Sequence, residues 1–339
     1  MTLEDFLREW HDGREQLLVH TSGSTGQPKP LWVEKRRMEA SARMTCRFLG
    51  LKKGDTALLC LPLDYIAGKM MVVRCLVQGL QLTSVEPCGH PLAGLLAPSQ
   101  IDFAAMVPMQ VWNSLQVEEE RNKLREIRHL IIGGGAVDAS LARELADFPH
   151  AVWSTYGMTE TLSHVALRRL SGAGRTDYYT PMEGVEVRQT DDGCLAIRAP
   201  HVCEGELLTN DRVELWNDES GQAHFRILGR KDNVICSGGM KIQAEEVEQK
   251  LRQVMDIPYL ISRVRDKKFG ELVVLLLESS SPLSEEETEK YKALCASALQ
   301  RYERPRLVLS VGKLPLTETG KPARGEAERL IEELSHRGG

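Results

Sequence analysis

With 339 residues the chain exceeds what one hydrophobic core usually serves, so two domains are the starting expectation. Hydrophobic residues at 42% and charged residues at 27% exclude a disordered chain, and a net charge of −5 without a long Lys/Arg run argues against a nucleic-acid or anionic-membrane partner. The acidic start MTLEDFLREW has no apolar signal core and the longest apolar runs, such as Leu272 to Leu277, are too short to span a bilayer, which sets a cytoplasmic expectation.

Taken in chain order, short apolar runs at Gln16–His20, Thr56–Leu61, Leu82–Val85, Phe103–Val107 and His129–Ile132 predict buried strands. Helical periods at Glu34–Leu49 and Lys69–Gly79 lie between them, an order that predicts a parallel α/β layer. From about Met182 the pattern becomes β-branched alternation with turns, typical of a small antiparallel sheet or barrel. After Arg230 it resets to amphipathic helices at Glu245–Val254 and Glu285–Arg301 around a strand at Leu272–Leu277, a compact α+β tail. Eight cysteines lie scattered without a C-x-x-C pair, so they read as reduced packing thiols.

The first chemical signal is His20-Thr-Ser-Gly-Ser-Thr-Gly-Gln-Pro-Lys29-Pro. Thr21, Ser22, Ser24 and Thr25 supply hydroxyls, Gly23 and Gly26 allow close backbone approach, and Lys29 adds a positive charge. That combination cradles polyphosphate. It is not a Walker loop, because Pro28 and Pro30 flank the lysine and no helix starts directly from it.

The loop resembles the phosphate-binding signature of the adenylate-forming superfamily of acyl-CoA synthetases, adenylation domains and luciferases. Further motifs follow in the family's order: Tyr156-Gly-Met-Thr159-Glu160, Thr209-Asn-Asp211, Gly229-Arg230-Lys-Asp232, Gly238-Gly239-Met-Lys241 and Leu314-Pro-Leu-Thr-Glu-Thr-Gly-Lys321. The resemblance implies an α/β large domain with a barrel-like part over residues 1–231 and a mobile α+β domain over 232–339. It implies ATP, Mg²⁺ and CoA as small-molecule partners. Thr21 to Lys29 would hold the β- and γ-phosphates, Thr159 would donate to phosphate, and Glu160 would hold Mg²⁺. Lys321 would neutralise the α-phosphate. Tyr156 would stack on adenine beside the backbone of Gly133, Gly134, Gly135 and Ala136, while Asp211 and Arg230 would meet the ribose. Asp232 would be the hinge about which Gly238, Gly239 and Lys241 swing in for thioester formation. Singly, a Tyr packs, an Asp caps a turn and Gly-Gly-Gly is a loop; in this order they form a site.

Two departures stand out. Only twenty residues precede Thr21, which predicts a minimal large domain whose sheet edge is open to solvent or covered by a partner subunit, with a homo-oligomer one possibility. Asn210 replaces the family's glycine but the acid Asp211 is kept. For the acid substrate, Tyr65 occupies the position of the family's gating His, and Arg74 sits in the otherwise apolar run Met70-Met-Val-Val-Arg-Cys-Leu. A buried arginine needs an anionic partner. Arg74 and Ser163 resemble the pattern of the 2-succinylbenzoate CoA ligases of menaquinone biosynthesis, whose substrate carries two carboxylates. Lys69 is the competing cation, rotated away from Arg74 along the helix. The expected function is an ATP-dependent acid:CoA ligase favouring 2-succinylbenzoate. Another acyl-CoA ligase, or an adenylation domain loading a carrier protein, shares the first step and stays open as an alternative.

Overall fold

The computed structural model describes residues 1–20, 30–95, 101–317 and 321–337. Helix α1 (Leu3–Trp10), closed at its start by a Thr2/Asp5 capping box, leads into β1 (Gln16–His20) and β2 (Pro30–Glu34). These two strands pair antiparallel in a sheet of their own. This corrects the expectation that Gln16–His20 belongs to the parallel layer. Strand β2 begins at Pro30, and parallel neighbours need a crossover of about a dozen residues or more.

The main layer follows as α2 (Lys35–Leu49), β3 (Thr56–Leu59), α3 (Ile66–Gln78), β4 (Gln81–Ser84), β5 (Phe103–Met106), α4 (Pro108–Gln116), α5 (Glu118–Glu126), β6 (His129–Ile132), α6 (Ala139–Glu144), β7 (Ala151–Gly157), β8 (His164–Arg169) and β9 (Thr180–Pro181). The seven strands run in the order β4-β3-β5-β6-β7-β8-β9, parallel through β7 and antiparallel beyond it. Strand alternation divides two cores: Phe103 and Ala105 face α2 and α3, while Ala104 and Met106 face α4 to α6. The edge strand β4 leaves three of its four residues exposed.

Strands β10 (Glu186–Gln189), β11 (Cys194–Arg198), β12 (Glu206–Asn217) and β13 (Ala223–Arg230) form the expected antiparallel sheet. A 3-10 turn over Lys231–Asn233 leads into the tail. The tail contains β14 (Val234–Ser237), β15 (Met240–Gln243), α7 (Ala244–Leu251), β16 (Tyr259–Asp266), β17 (Gly270–Glu278), α8 (Glu285–Ala298), β18 (Leu307–Val311) and α9 (Arg324–Arg337). Strand β17 is central: Val273, Leu275 and Leu277 pack toward α7 and α8, Val274 and Leu276 toward α9. All eight cysteines are free thiols, and among the described residues no helix is long and apolar enough to cross a membrane.

Candidate active site

The carboxyl ends of the parallel strands collect the motif residues, the usual place for a ligand in such a sheet. Gly133 to Ala136 follow β6 directly. A Cβ on Gly133 would stand 2.5 Å from Thr155 Oγ1, and Gly134 has φ +76°, so this backbone lies bare against β7 because side chains do not fit. At the end of β7 a Cβ on Gly157 would meet the Ser163 carbonyl at 2.2 Å. The chain between them turns through a 3-10 helix, Thr159–Thr161, and then through Leu162, the one described non-glycine residue with positive φ, at +65°. Thr161 Oγ1 donates within this turn and accepts from the Met158 amide at 3.0 Å. Thr159 is buried, and the Glu160 carboxylate is exposed with no hydrogen bond or ion pair among the described residues.

A second group forms where the antiparallel sheet meets the tail. Tyr156, only 7% exposed, donates its hydroxyl to Asp211 Oδ2 at 2.7 Å. Burial pushes the Tyr156 phenol well up, and the Asp211 charge adds to it. Its ring meets Phe225 edge-on at 5.2 Å, so most of the face expected for adenine lies within the core. Arg230 Nη1 stands 3.6 Å from Asp211 Oδ1 and Nη2 donates to Asp232 Oδ2 at 2.8 Å. Asn210 Nδ2 donates to both oxygens of Asp232 at 3.2 and 3.1 Å. The half-buried Lys321 amine lies in the same field: burial pushes its pKa down, Arg230 pushes it further, and Asp211 opposes them. Gln243, at the end of β15, clasps the junction by donating to the Arg230 carbonyl at 2.8 Å and accepting from Arg212 at 3.1 Å. A Cβ on Gly229, which has φ +143°, would collide with that Gln243 amide.

The third group surrounds Arg74, 2% exposed on α3. Its Nη2 donates to Ser163 Oγ at 2.6 Å, its Nη1 reaches only the Met71 thioether at 3.8 Å, and its Nε has no partner among the described residues. The guanidinium carbon lies 6.0 Å from the centre of the Phe103 ring. No described carboxylate pairs with it, and burial pushes its pKa down to about 10. Ser163 Oγ is also 3.3 Å from His164 Nδ1, whose Nε2 is 3.1 Å from Thr45 Oγ1. Burial, then the charge of Arg74, holds His164 well below its ordinary pKa, so the ring is neutral.

Not every expected residue joins these groups. Thr21, Ser22, Gly23, Ser24, Thr25, Gly26 and Lys29 lie outside the described residues. Lys69 points elsewhere: its Nζ lies 3.1 Å from Met1 Sδ and 5.4 Å from the Phe6 ring centre, under α1. Tyr65 caps the start of α3, half-buried. Gly238 and Gly239 form the two-residue turn between β14 and β15, with φ +57° and +84°. With Lys241 they are exposed, and the Lys241 charge acts on Asp192. Leu162, His164, Thr45 and Gln243 carry no motif signal; only the fold reveals them.

The profile of the AMP-binding enzyme family matches residues 14–212. A 2-succinylbenzoate–CoA ligase of Bacillus cereus is 24% identical over 343 residues, covering 94% of this chain and 70% of that protein. The enzyme of the same name from Escherichia coli is 30% identical over 285 residues, 79% of this chain and 60% of that one. The crystal structure of an AMP-forming acyl-CoA synthetase/AMP-acid ligase II-like protein from Dyadobacter fermentans superposes with a TM-score of 0.62 at 35% identity, covering 95% of this chain and 92% of that chain.

Proposed function

This chain belongs to the AMP-binding enzyme family, and from that premise we propose that it is an AMP-forming acid:CoA ligase whose acid is 2-succinylbenzoate. In the first half-reaction a carboxylate oxygen attacks the α-phosphorus of ATP, an acyl–adenylate bond forms, and pyrophosphate leaves. In the second, a CoA thiol attacks the acyl carbon, loses its proton, and displaces AMP.

The residues fit the first step. Negative charge grows on phosphate oxygens as the bond to pyrophosphate breaks, and preorganised donors stabilise it without reorganising. Lys321, beside Arg230 and Asp211, brings an ammonium to the α-phosphate. Thr159 donates a hydroxyl, and Asp211 keeps Oδ1 free of the Tyr156 bond for a ribose hydroxyl. The exposed Glu160 carboxylate, without an ion pair among the described residues, suits Mg²⁺, which takes one or two protein carboxylates and otherwise keeps water and phosphate oxygens. When bound, that ion supplies positive charge to the phosphates. The proximity of Lys321 to Asp211 and the exposure of Gly238, Gly239 and Lys241 support an adenylation-ready arrangement. Rotation of residues 232–339 about Asp232 would exchange the two for the thioester step.

The choice of acid rests on one observation. Arg74 is a fully enclosed guanidinium without a carboxylate among the described residues. Its planar fork meets a carboxylate in two parallel bonds. A diacid offers one carboxylate to ATP and the other to Arg74. The test is pyrophosphate release over a panel of aryl and alkyl mono- and dicarboxylates, followed by thioester formation with CoA and with a phosphopantetheinylated carrier. Best turnover on a monoacid would remove the substrate assignment. Transfer to the carrier but not to CoA would make the chain a loading domain.

A further inference from the structure

We propose that Thr45 and His164 are positioning residues for acid selection, holding Ser163 and through it the Arg74 guanidinium in the orientation that receives a carboxylate. The inference rests on the reading of Arg74 as the receptor of the second carboxylate.

The direction of each hydrogen bond follows from what the groups can do. Arginine only donates, so Ser163 Oγ accepts from Nη2 at 2.6 Å. The proton of Ser163 is then directed at His164 Nδ1, 3.3 Å away. A neutral imidazole that accepts at Nδ1 carries its hydrogen on Nε2, which donates to Thr45 Oγ1 at 3.1 Å. Thr45 in turn donates to the Ser41 carbonyl at 3.2 Å. The reverse direction would strip Ser41 of that bond and aim a second hydrogen at Ser163. The chain thus runs one way, from α3 through the first residue of β8 to α2. Thr45 and His164 are 1% and 6% exposed, so water does not compete for these bonds.

The consequence falls on the free part of the guanidinium. Nη2 has one hydrogen on Ser163 and keeps a second, next to the unpartnered Nε–H. Those two N–H groups form the side-on fork that meets both oxygens of a carboxylate. The thiols whose charge would act on Arg74, Cys46 and Cys75, are pushed upward by burial, Cys75 to about 12, and His164 is neutral, so among the described residues no anion takes the fork. Without His164 and Thr45, Ser163 could rotate and release Nη2, and the fork would lose its fixed direction.

The experiment compares kcat/KM for 2-succinylbenzoate and for benzoylpropionate, the same acid without its ring carboxylate, in wild type, Thr45→Val, His164→Leu, His164→Asn and Arg74→Ala. Loss of one buried hydrogen bond should reduce the diacid-over-monoacid preference by about tenfold in His164→Leu and somewhat less in Thr45→Val. The loss should appear in KM for the acid, with KM for ATP unmoved. His164→Asn, whose amide oxygen can accept from Ser163, should recover most of the preference. Nitrogen-15 spectra of the ligand-free enzyme should show His164 as the neutral Nε2–H tautomer. Equal losses on both acids, or an Nδ1–H tautomer, overturn the proposal. Thr45→Val keeps side-chain volume and carries the test if His164→Leu does not fold. If Arg74→Ala abolishes the preference while the Thr45 and His164 variants keep it, the chain plays no part in selection and the diacid reading survives. If Arg74→Ala leaves the preference intact, the diacid reading fails and this inference falls with it.

Discussion

Arg230 and Arg74 carry the same group into opposite surroundings. Burial works against the charge of Arg230, but Asp232, Asp211 and Glu245 outweigh it and raise its pKa. Arg74 is more deeply enclosed, has no acid to answer it among the described residues, and its pKa falls to about 10. Breaking a buried ion pair costs about 3–5 kcal/mol, so a fold that encloses a cation without an anion stays under electrostatic stress until one arrives. Arg230 is answered from within the protein, and its partners include the expected hinge residue, Asp232. Under the proposed function, Arg74 is left to be answered by the substrate. On the same reading, the compensated arginine sits at the nucleotide side of the junction and the uncompensated one selects the acid.

The hardest test of the compensated side is Lys321→Ala. Adenylation should fall by at least about 10³, because the lost ammonium acts on charge present only during that step, whereas thioester formation from supplied acyl-adenylate should stay near wild type. Equal loss of both half-reactions would refute the two-arrangement scheme. The same residue predicts a pH effect. Lys321 must be protonated to act, and burial lowers its pKa from the ordinary 10.5. Adenylation kcat/KM should therefore decline with rising pH before an ordinary lysine would titrate, and the decline should be absent from the thioester step. For stability the sign is the reverse: between the two pKa values the unfolded chain binds more protons, so this group's contribution improves as pH rises.

Arg74→Ala tests the uncompensated side. Removing the receptor of a buried carboxylate should lower kcat/KM for the diacid by roughly 10²–10³, with a much smaller effect on a monoacid. Kinetics of both acids with the purified variant decide it, and equal losses would make Arg74 a structural residue.

Asp232→Pro addresses the junction between them. Proline fixes φ and removes an N–H, and the substitution also deletes the carboxylate that Asn210 and Arg230 share. The two half-reactions should separate, with overall turnover down about tenfold and one partial reaction spared. Unchanged turnover would place the pivot elsewhere.

The contrast between the two arginines also explains what could be read from the sequence. The glycines of the motifs answer to space and backbone: Gly133 meets Thr155 on β7, Gly157 meets the Ser163 carbonyl, and Gly238-Gly239 needs two positive φ angles. Most strands were legible from apolar runs, His129–Ile132 to the residue. Strand β1 was assigned to the wrong sheet because its pairing depends on β2 across a loop, and an apolar run does not name its partner. Lys69 was readable as off the face of Arg74, but nothing in the sequence announced that α1 would cover it. Leu162 hides a strained turn because it is not glycine, and a lone His164 in a strand looks like any core histidine.

The smallest effect concerns Gln243, which belongs to the tail but bonds to the large sheet. Its amide nitrogen donates to the Arg230 carbonyl at 2.8 Å and its oxygen accepts from Arg212 at 3.1 Å, and both contacts are enclosed at 4% exposure. The Gln243 amide nitrogen also lies 2.6 Å from where a Cβ on Gly229 would be, so the glycine leaves it the space to dock. Gln243→Ala removes these two hydrogen bonds, and if the tail rotates as proposed they exist only in the arrangement holding Lys321 near Asp211. A typical buried hydrogen bond contributes about 1 kcal/mol net, so the population of that arrangement should fall by about threefold to tenfold. Adenylation should slow by that factor, while the thioester step from supplied acyl-adenylate should be unchanged or faster, because its competing arrangement has been weakened. Single-turnover rates of the two half-reactions measure this directly. A parallel slowing of both would mean that Gln243 supports the fold of the tail instead of its orientation, and the division between compensated architecture and substrate-seeking charge would not extend to the junction.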